Sequence, residues 1–311
     1  MNCLILGGGG FLGSHLCEAL LAEGHRVRVF ERPRLKRDGR ARFFSQAEWV
    51  EGDFTNPVDI SQTIEGCEVV FHLIWSTLPK TSNDNPIYDL ESNVVSTLRL
   101  LDAVKKNKVQ KFIFVSSGGT VYGIPKQIPI SETHPTNPIC SYGITKLAIE
   151  KYLNLYQHEY GLDYCVLRVS NLFGERQQGS ATQGAIAVFL DKALKGETIE
   201  IWGDGHVVRD YVYVGDVTRA FLKAMHYLGD SDVFNIGSGQ GHSLNDLLKM
   251  IESLLGRPVR HVYGEGRALD VPINVLDISK ANRLLGWKPN TTLQNGLMLT
   301  LDWIRHQRNS D

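Results

Sequence analysis

MNCLILGGGGFLGSHL, residues 1–16, decides the fold. An apolar run, Asn2–Leu6, reads as a strand. It breaks into glycines after Leu6 and continues at Leu12–Glu23 with helical periodicity. Gly7, Gly10 and Gly13 form GxxGxxG between the two elements. Such glycines permit a tight turn, let backbone approach a pyrophosphate, and let the helix pack closely on the strand. The helix N-terminus, opened by Phe11 and Leu12, then faces the phosphates. The stretch lacks a basic leader region, so it reads as a strand and not a signal peptide.

The rest of the first half repeats this unit. Strands are predicted at Arg26–Glu31, Glu48–Val50, Val69–Leu73, Lys111–Ser116 and Tyr164–Val169, and helices at Val58–Ile64, Leu90–Lys106 and Ser141–Tyr160. Strand-helix-strand repetition implies an α/β fold with a doubly wound parallel sheet covered on both faces. After Asn171 loops and glycines dominate, with helices predicted at Ala185–Leu194, Leu244–Leu255 and Leu293–Gln307. Asp216–Tyr227 and Val233–Ile236 form one more helix-strand unit that returns to the first sheet. The expected domains are 1–171 with 214–236, and a smaller substrate-binding lobe of 172–213 with 237–311.

The chain has 311 residues and a formal net charge of −1, which argues against nucleic acid or anionic membrane as main partner. Arg32, Arg34, Lys36, Arg37, Arg40 and Arg42 form a basic run, read as a solvated loop. No apolar run reaches membrane-span length. Cys3, Cys17, Cys67, Cys140 and Cys165 show no CxxC spacing and sit in apolar patterns as small hydrophobes, implying a reduced cytoplasmic protein and no metal site.

Glu31 stands at the tip of the second strand. A carboxylate there accepts hydrogen bonds from both adenosine ribose hydroxyls and repels a 2′-phosphate, favouring NAD over NADP. Arg32 pulls the other way, since a guanidinium welcomes that phosphate. Asp53, after the third strand, reaches the adenine or caps a turn. Phe54, Leu73 and Ser116 flank strand ends and join the cofactor-binding candidates. A strand ending in Ser116–Ser117 precedes a helix bearing Tyr142 and Lys146, four apart and so on one face. A phenol titrates near pH 10, too high for a general base at neutral pH. A neighbouring ammonium, with a positive nicotinamide ring, brings it into working range. Tyr142 then takes a proton from a sugar hydroxyl while hydride leaves the same carbon.

GGGGFLGSHL, SSGGTVYG, SYGITK, RVSNLFGERQ, WGDGHVVRDYVYVGDV, FNIGSG and DISKANRLLGW together resemble the extended short-chain dehydrogenase/reductase family, and within it the nucleotide-sugar 4-epimerases. The resemblance covers essentially the whole chain. It implies NAD as cofactor and a nucleotide-diphosphate hexose, of UDP type, as substrate. It places Asn93 at the nicotinamide side of the cofactor and Lys146 at its ribose. Asn171, Arg209 and Arg267 look like ligands of the substrate pyrophosphate, Asp270 like the nucleotide-ribose ligand, and Gln183 joins them as a substrate-side candidate. Paired arginines suit a diphosphate, each offering a fork of donors. The resemblance also implies a homodimer through helices Leu90–Lys106 and Ser141–Tyr160, whose apolar positions exceed one sheet-facing stripe.

Three positions depart from the pattern. Gly118 stands where the family usually carries a Ser or Thr that bridges substrate O4 and the catalytic tyrosine. Thr120 is the expected substitute: strand alternation puts it on Gly118's face and turns Ser117, the other catalytic candidate, away. Gly119–Thr120 also replaces the Asp-Glu pair of the related 4,6-dehydratases, so no carboxylate protonates a leaving hydroxyl. Asn274 stands at a gate often filled by tyrosine, leaving room for an N-acetyl group, and Thr77 replaces a lysine of some epimerases. Two alternatives stay open: an NAD(P)H-dependent 4-keto sugar reductase, and a catalytically silent NAD-binding subunit, which the intact Tyr142–Lys146 pair disfavours.

Overall fold

The first strand, β1 (Asn2–Leu6), lies at the centre of a sheet because Cys3, Leu4, Ile5 and Leu6 are all buried and neither strand face offers water a polar group. In this computed structural model residues 1–33, 45–177, 184–266 and 271–310 are described; Gln183, Arg267, Asp270 and the basic residues Arg34, Lys36, Arg37, Arg40 and Arg42 lie outside them. Chain order continues with α1 (Phe11–Ala22), β2 (Arg26–Glu31), β3 (Glu48–Glu51), α2 (Pro57–Thr63), β4 (Val69–His72), α3 (Pro79–Asp84), α4 (Pro86–Asp89), a π-helical turn (Leu90–Val95), α5 (Ser96–Lys106), β5 (Lys111–Ser117), α6 (Ser141–Tyr160) and β6 (Tyr164–Val169). Then follow β7 (Asn171–Phe173), α7 (Ala185–Lys195), β8 (Ile199–Trp202), β9 (Val208–Tyr213), α8 (Val214–Met225), β10 (Asp232–Ile236), β11 (Gly241–Ser243), α9 (Leu244–Leu255), β12 (His261–Gly264), β13 (Ile273–Asn274), α10 (Ser279–Leu285) and α11 (Leu293–Ser310).

The main sheet has seven strands in the order β10-β6-β5-β4-β1-β2-β3. β1 pairs in parallel with β2 and β4, β2 with β3, and β4 with β5. The order reverses between β1 and β4, which is the doubly wound arrangement expected from the sequence, with its ligand crevice at the switch point. Central strands β4 and β6 are buried along their whole length, whereas edge strand β3 is partly exposed.

The chain divides into two compact units. The first comprises Met1–Val121, Pro138–Arg168 and Thr218–Phe234, with a core that includes Leu4, Phe30, Val70, Phe112, Phe114, Ile149 and Val166. The second comprises Tyr122–Asn137, Val169–Val217 and Asn235–Asp311, with Phe173, Phe189, Ile201, Tyr211, Leu247 and Leu297 in its core. In it β9 is flanked by β11 and β13 and also pairs with β7. All five cysteines are free, and burial pushes the Cys3 and Cys165 thiols up to about 12, so they act as hydrophobes. No described helix is long and apolar enough to cross a membrane.

Candidate active site

The turn after β1 is shaped for close approach. Gly7 has φ +89°, which favours glycine; its N–H donates to Phe30 O at 2.9 Å and its carbonyl accepts from Gly10 N–H at 3.1 Å. A Cβ on Gly13 would lie 2.2 Å from Gly7 O, so α1 can start this near β1 only without a side chain there. α1 opens at Phe11 and Leu12 with no side-chain cap and no acidic residue in its first turn, leaving its N–H groups to an anion. Glu31 Oε2 accepts from Gly9 N–H at 3.2 Å and Oε1 from Arg32 N–H at 3.1 Å, so a carboxylate is held against the glycine turn. A bare helix terminus for phosphate beside a carboxylate for ribose fits a dinucleotide.

Asp53 lies beyond β3, and its Oδ1 accepts from Thr55 N–H and Thr55 Oγ1, each at 2.8 Å. Those bonds hold its carboxyl below the usual range and close a turn of the Asx type. Phe54 is buried on His72, with ring centroids 5.1 Å apart, and Leu73 N–H donates to Leu6 O at 3.0 Å.

The helix α6 carries both Tyr142 and Lys146. Tyr142 is half-buried, and its ring meets Trp75 edge-on at 5.5 Å. Lys146 is buried; Nζ donates to Val115 O at 2.7 Å and sits 3.6 Å from the Trp75 ring centroid and 5.7 Å from that of Tyr142. Burial depresses the Lys146 ammonium well below its ordinary range and raises the Tyr142 phenol, with the Asp89 charge adding to the latter. In this environment neither charged form is favoured without a further partner.

β5 ends at Ser117, and residues 118–122 form a turn. Thr120 and Val121 both donate backbone N–H to Ser117 O, at 3.4 and 3.2 Å. This corrects the strand-face reasoning, because alternation does not extend past Ser117 and so cannot place Thr120. What places Thr120 is packing: a Cβ on Gly143 would lie 2.9 Å from Thr120 O, so the turn abuts α6 one residue past Tyr142. Thr120 Oγ1 is buried and has no hydrogen-bond partner among the described residues. Ser117 is half-buried at the strand end, and Ser116 turns inward, donating to Glu150, which also grips Arg168 at 2.6 Å.

Asn93 is buried and fully engaged. Its Oδ1 accepts from Ser76 N–H at 2.9 Å, and its Nδ2 donates to Asp89 O at 3.0 Å and Asp89 Oδ1 at 2.9 Å. Thr77, also buried, donates to the same Asp89 carboxylate. In the second unit β9 gathers three candidates. Asn274 on β13 is the register partner of Arg209, and Asn171 on β7 is that of Tyr211. Neighbouring strands lie about 4.8 Å apart and positions two apart share a face, so the three are near neighbours. Arg209 Nη1 donates to Val271 O at 2.6 Å and to Val208 O at 3.0 Å, which holds its guanidinium in place.

The model of the NAD dependent epimerase/dehydratase family matches residues 3–237. The chain belongs to that family. Its relatives include the UDP-glucose 4-epimerase of Mycolicibacterium smegmatis, 36% identical over 99% of both chains. Among solved structures it is similar to Thermotoga maritima UDP-glucose 4-epimerase with UDP-glucose (TM-score 0.94, 38% identity, 99% of this chain and 100% of that one). It is likewise similar to the Thermus thermophilus UDP-glucose 4-epimerase complex with NAD (TM-score 0.90, 32% identity, 98% of this chain and 99% of that one).

For this family member, sequence reasoning missed Trp75, on which Lys146 rests, and Asp89, where Thr77 and Asn93 converge. Neither belongs to a periodic pattern or a spaced motif. The only signal was position: Trp75 follows a strand at its carboxyl end, and Asp89 directly precedes the helix expected at Leu90–Lys106. The single helix expected at Leu90–Lys106 is instead a π-helical turn followed by α5, preceded by the short helices α3 and α4 that begin at Pro79 and Pro86.

Proposed function

We infer that this chain is an NAD-dependent nucleotide-sugar 4-epimerase, inverting C4 of a nucleotide-diphosphate hexose of UDP type. The observation that carries this is the Tyr142–Lys146 pair on α6, packed against Trp75, with the Thr120 hydroxyl, unpartnered among the described residues, in the adjoining turn. Bound NAD supplies the acceptor and donor of hydride for the sugar carbon. Tyr142 takes the O4 proton and returns it after the sugar has turned over. Lys146 holds a positive charge beside the phenol and favours its ionised form. Thr120 relays the proton between O4 and Tyr142, and Ser117 is the alternative hydroxyl.

Gly7, Gly10, Phe11, Leu12 and Gly13 hold the cofactor pyrophosphate, Glu31, Arg32, Asp53 and Phe54 its adenosine half, and Leu73, Asn93 and Ser116 line its nicotinamide half. Residues 1–171 with 214–236 form the NAD-binding part and 172–213 with 237–311 the sugar-nucleotide lobe. Asn171, at the end of the NAD-binding part, and Arg209 and Arg267 of the lobe take the pyrophosphate, Asp270 the ribose and Gln183 the substrate side, while Asn274 leaves room for an N-acetyl group. The protein works in the cytoplasm as a homodimer.

Purified protein with no added cofactor should interconvert UDP-glucose and UDP-galactose, or their N-acetyl forms, because NAD is regenerated at each turnover. Turnover only with supplied NADH or NADPH and a 4-keto sugar would replace this reading with the reductase. Bound NAD without any turnover would replace it with the silent subunit.

A further inference from the structure

Asp89 ends α4 and is fully buried. Its Oδ1 accepts from Thr77 Oγ1 and from Asn93 Nδ2 at 2.9 Å, and its Oδ2 from Ser141 Oγ at 2.8 Å and Thr145 Oγ1 at 3.0 Å. The Thr145 hydroxyl also has the Ser141 and Tyr142 carbonyls within 3.1 Å, but a charged acceptor makes the stronger bond. These donors come from three places: the segment after β4, the π-helical turn, and the first turns of α6. Ser141 and Thr145 bracket Tyr142, and Thr145 directly precedes Lys146. Stability alone gives little reason to bury a carboxylate here, since apolar side chains of similar size serve as well.

We propose that Asp89 is a positioning residue of the hydride-transfer site, its carboxylate clamping the start of α6, with Tyr142 and Lys146, to Thr77 and Asn93. The proposal rests on the 4-epimerase reading for its kinetic consequence only. Backbone bonds assist the clamp: Ser141 N–H donates to Asn83 Oδ1 at 2.8 Å and Tyr142 N–H to Ser82 Oγ at 3.0 Å. The clamp is also a charge. The groups facing the Tyr142 phenol are Asp89, the Cys140 thiol and the Lys146 ammonium. Burial keeps the thiol protonated, so Asp89 is the anion that opposes phenolate formation and supports the ammonium.

Two variants separate geometry from charge. In Asp89→Asn the amide oxygen still accepts from Thr77 and Asn93, and its NH2 donates to the Ser141 and Thr145 hydroxyls, which rotate to accept. Asp89→Ala removes both charge and clamp. We expect Asp89→Ala to lower kcat roughly 10²-fold with KM within about threefold, the pattern of misplaced reacting groups. Asp89→Asn should keep most of kcat and move the phenolate transition of Tyr142 to lower pH, since it removes the facing anion. That transition is read as ultraviolet difference absorbance between each protein and its Tyr142→Phe counterpart. Full kcat in folded Asp89→Ala, or an unmoved transition in Asp89→Asn, overturns the proposal. If Asp89→Ala does not fold, the Asp89→Asn titration decides alone. If the parent protein shows no epimerisation, the functional reading fails while the titration still judges Asp89.

Discussion

A phenol and an ammonium four residues apart sit in an environment that favours neither charge, so turnover must depend on what is added beside them. Tyr142→Phe keeps the ring against Trp75 but removes the proton. Turnover should fall by at least about 10²-fold while NAD content after gel filtration is unchanged. Thr120 tests the relay. Its hydroxyl is buried without a partner among the described residues, and valine keeps the branched shape. Thr120→Val should therefore cost roughly 10²-fold in kcat with no loss of stability, measured by steady-state kinetics and urea unfolding. A silent Thr120→Val with a severe Ser117→Ala would move the relay to Ser117.

At the level of elements, α6 touches the 118–122 turn through a missing side chain. A Cβ on Gly143 would lie 2.8 Å from Pro138 Cβ and 2.9 Å from Thr120 O, which is backbone and cannot swing away. Gly143→Ala should destabilise by about 1–3 kcal/mol in urea unfolding and depress kcat through the displaced Thr120 turn. On β4, His72 is fully buried, and burial together with the Lys146 charge pushes its imidazole from 6.5 down to about 3. The unfolded chain binds a proton there that the native chain refuses. Stability is therefore lost as pH falls from the unfolded value toward the folded one, at up to about 1.4 kcal/mol per pH unit. His72→Phe should flatten the decline between pH 6 and pH 4, roughly by one proton's worth, in urea unfolding at several pH values.

For the whole molecule, the exposed face of α6 is the informative surface. Ile144 (54% exposed), Tyr152 (37%) and Leu155 (46%) fall at helical spacing on one stripe, and Leu90 (49%) extends the apolar character to the π-helical turn. Water tolerates single apolar side chains, but a stripe on paired helices asks for a cover. Light scattering at micromolar concentration should give about twice the mass of one chain. Ile144→Glu with Leu155→Glu should halve it by placing like charges at the seam.

How much of this was legible in the sequence follows from how far each signal reaches along the chain. Alternation and helical period are local, so β1, β2, β6, α6 and α9 lie where the pattern put them, and repeated strand-helix units implied the doubly wound sheet. The glycines at 7, 10 and 13 and the Tyr142–Lys146 spacing are equally local, and the structure places the former at the β1–α1 turn and the latter on one helix. Short strands β7, β8, β11, β12 and β13 escaped notice, because two to four residues hold no period and owe their pairing to partners far along the chain. The alternation used to place Thr120 does not reach it, because a turn held by Ser117 O and packed on Gly143 ends the strand. The sequence by itself determined the sheet, the glycine turn after β1 and the placing of Tyr142 and Lys146 on one helix, since each rests on neighbours within one or two turns of chain. Only the tertiary structure decided that Trp75 bears on Lys146, that β9 gathers Asn171, Arg209 and Asn274, and that a buried Asp89 draws Thr77, Asn93, Ser141 and Thr145 to one point. Desolvation is what makes those long-range contacts strong, and burial is a property no short window of sequence contains.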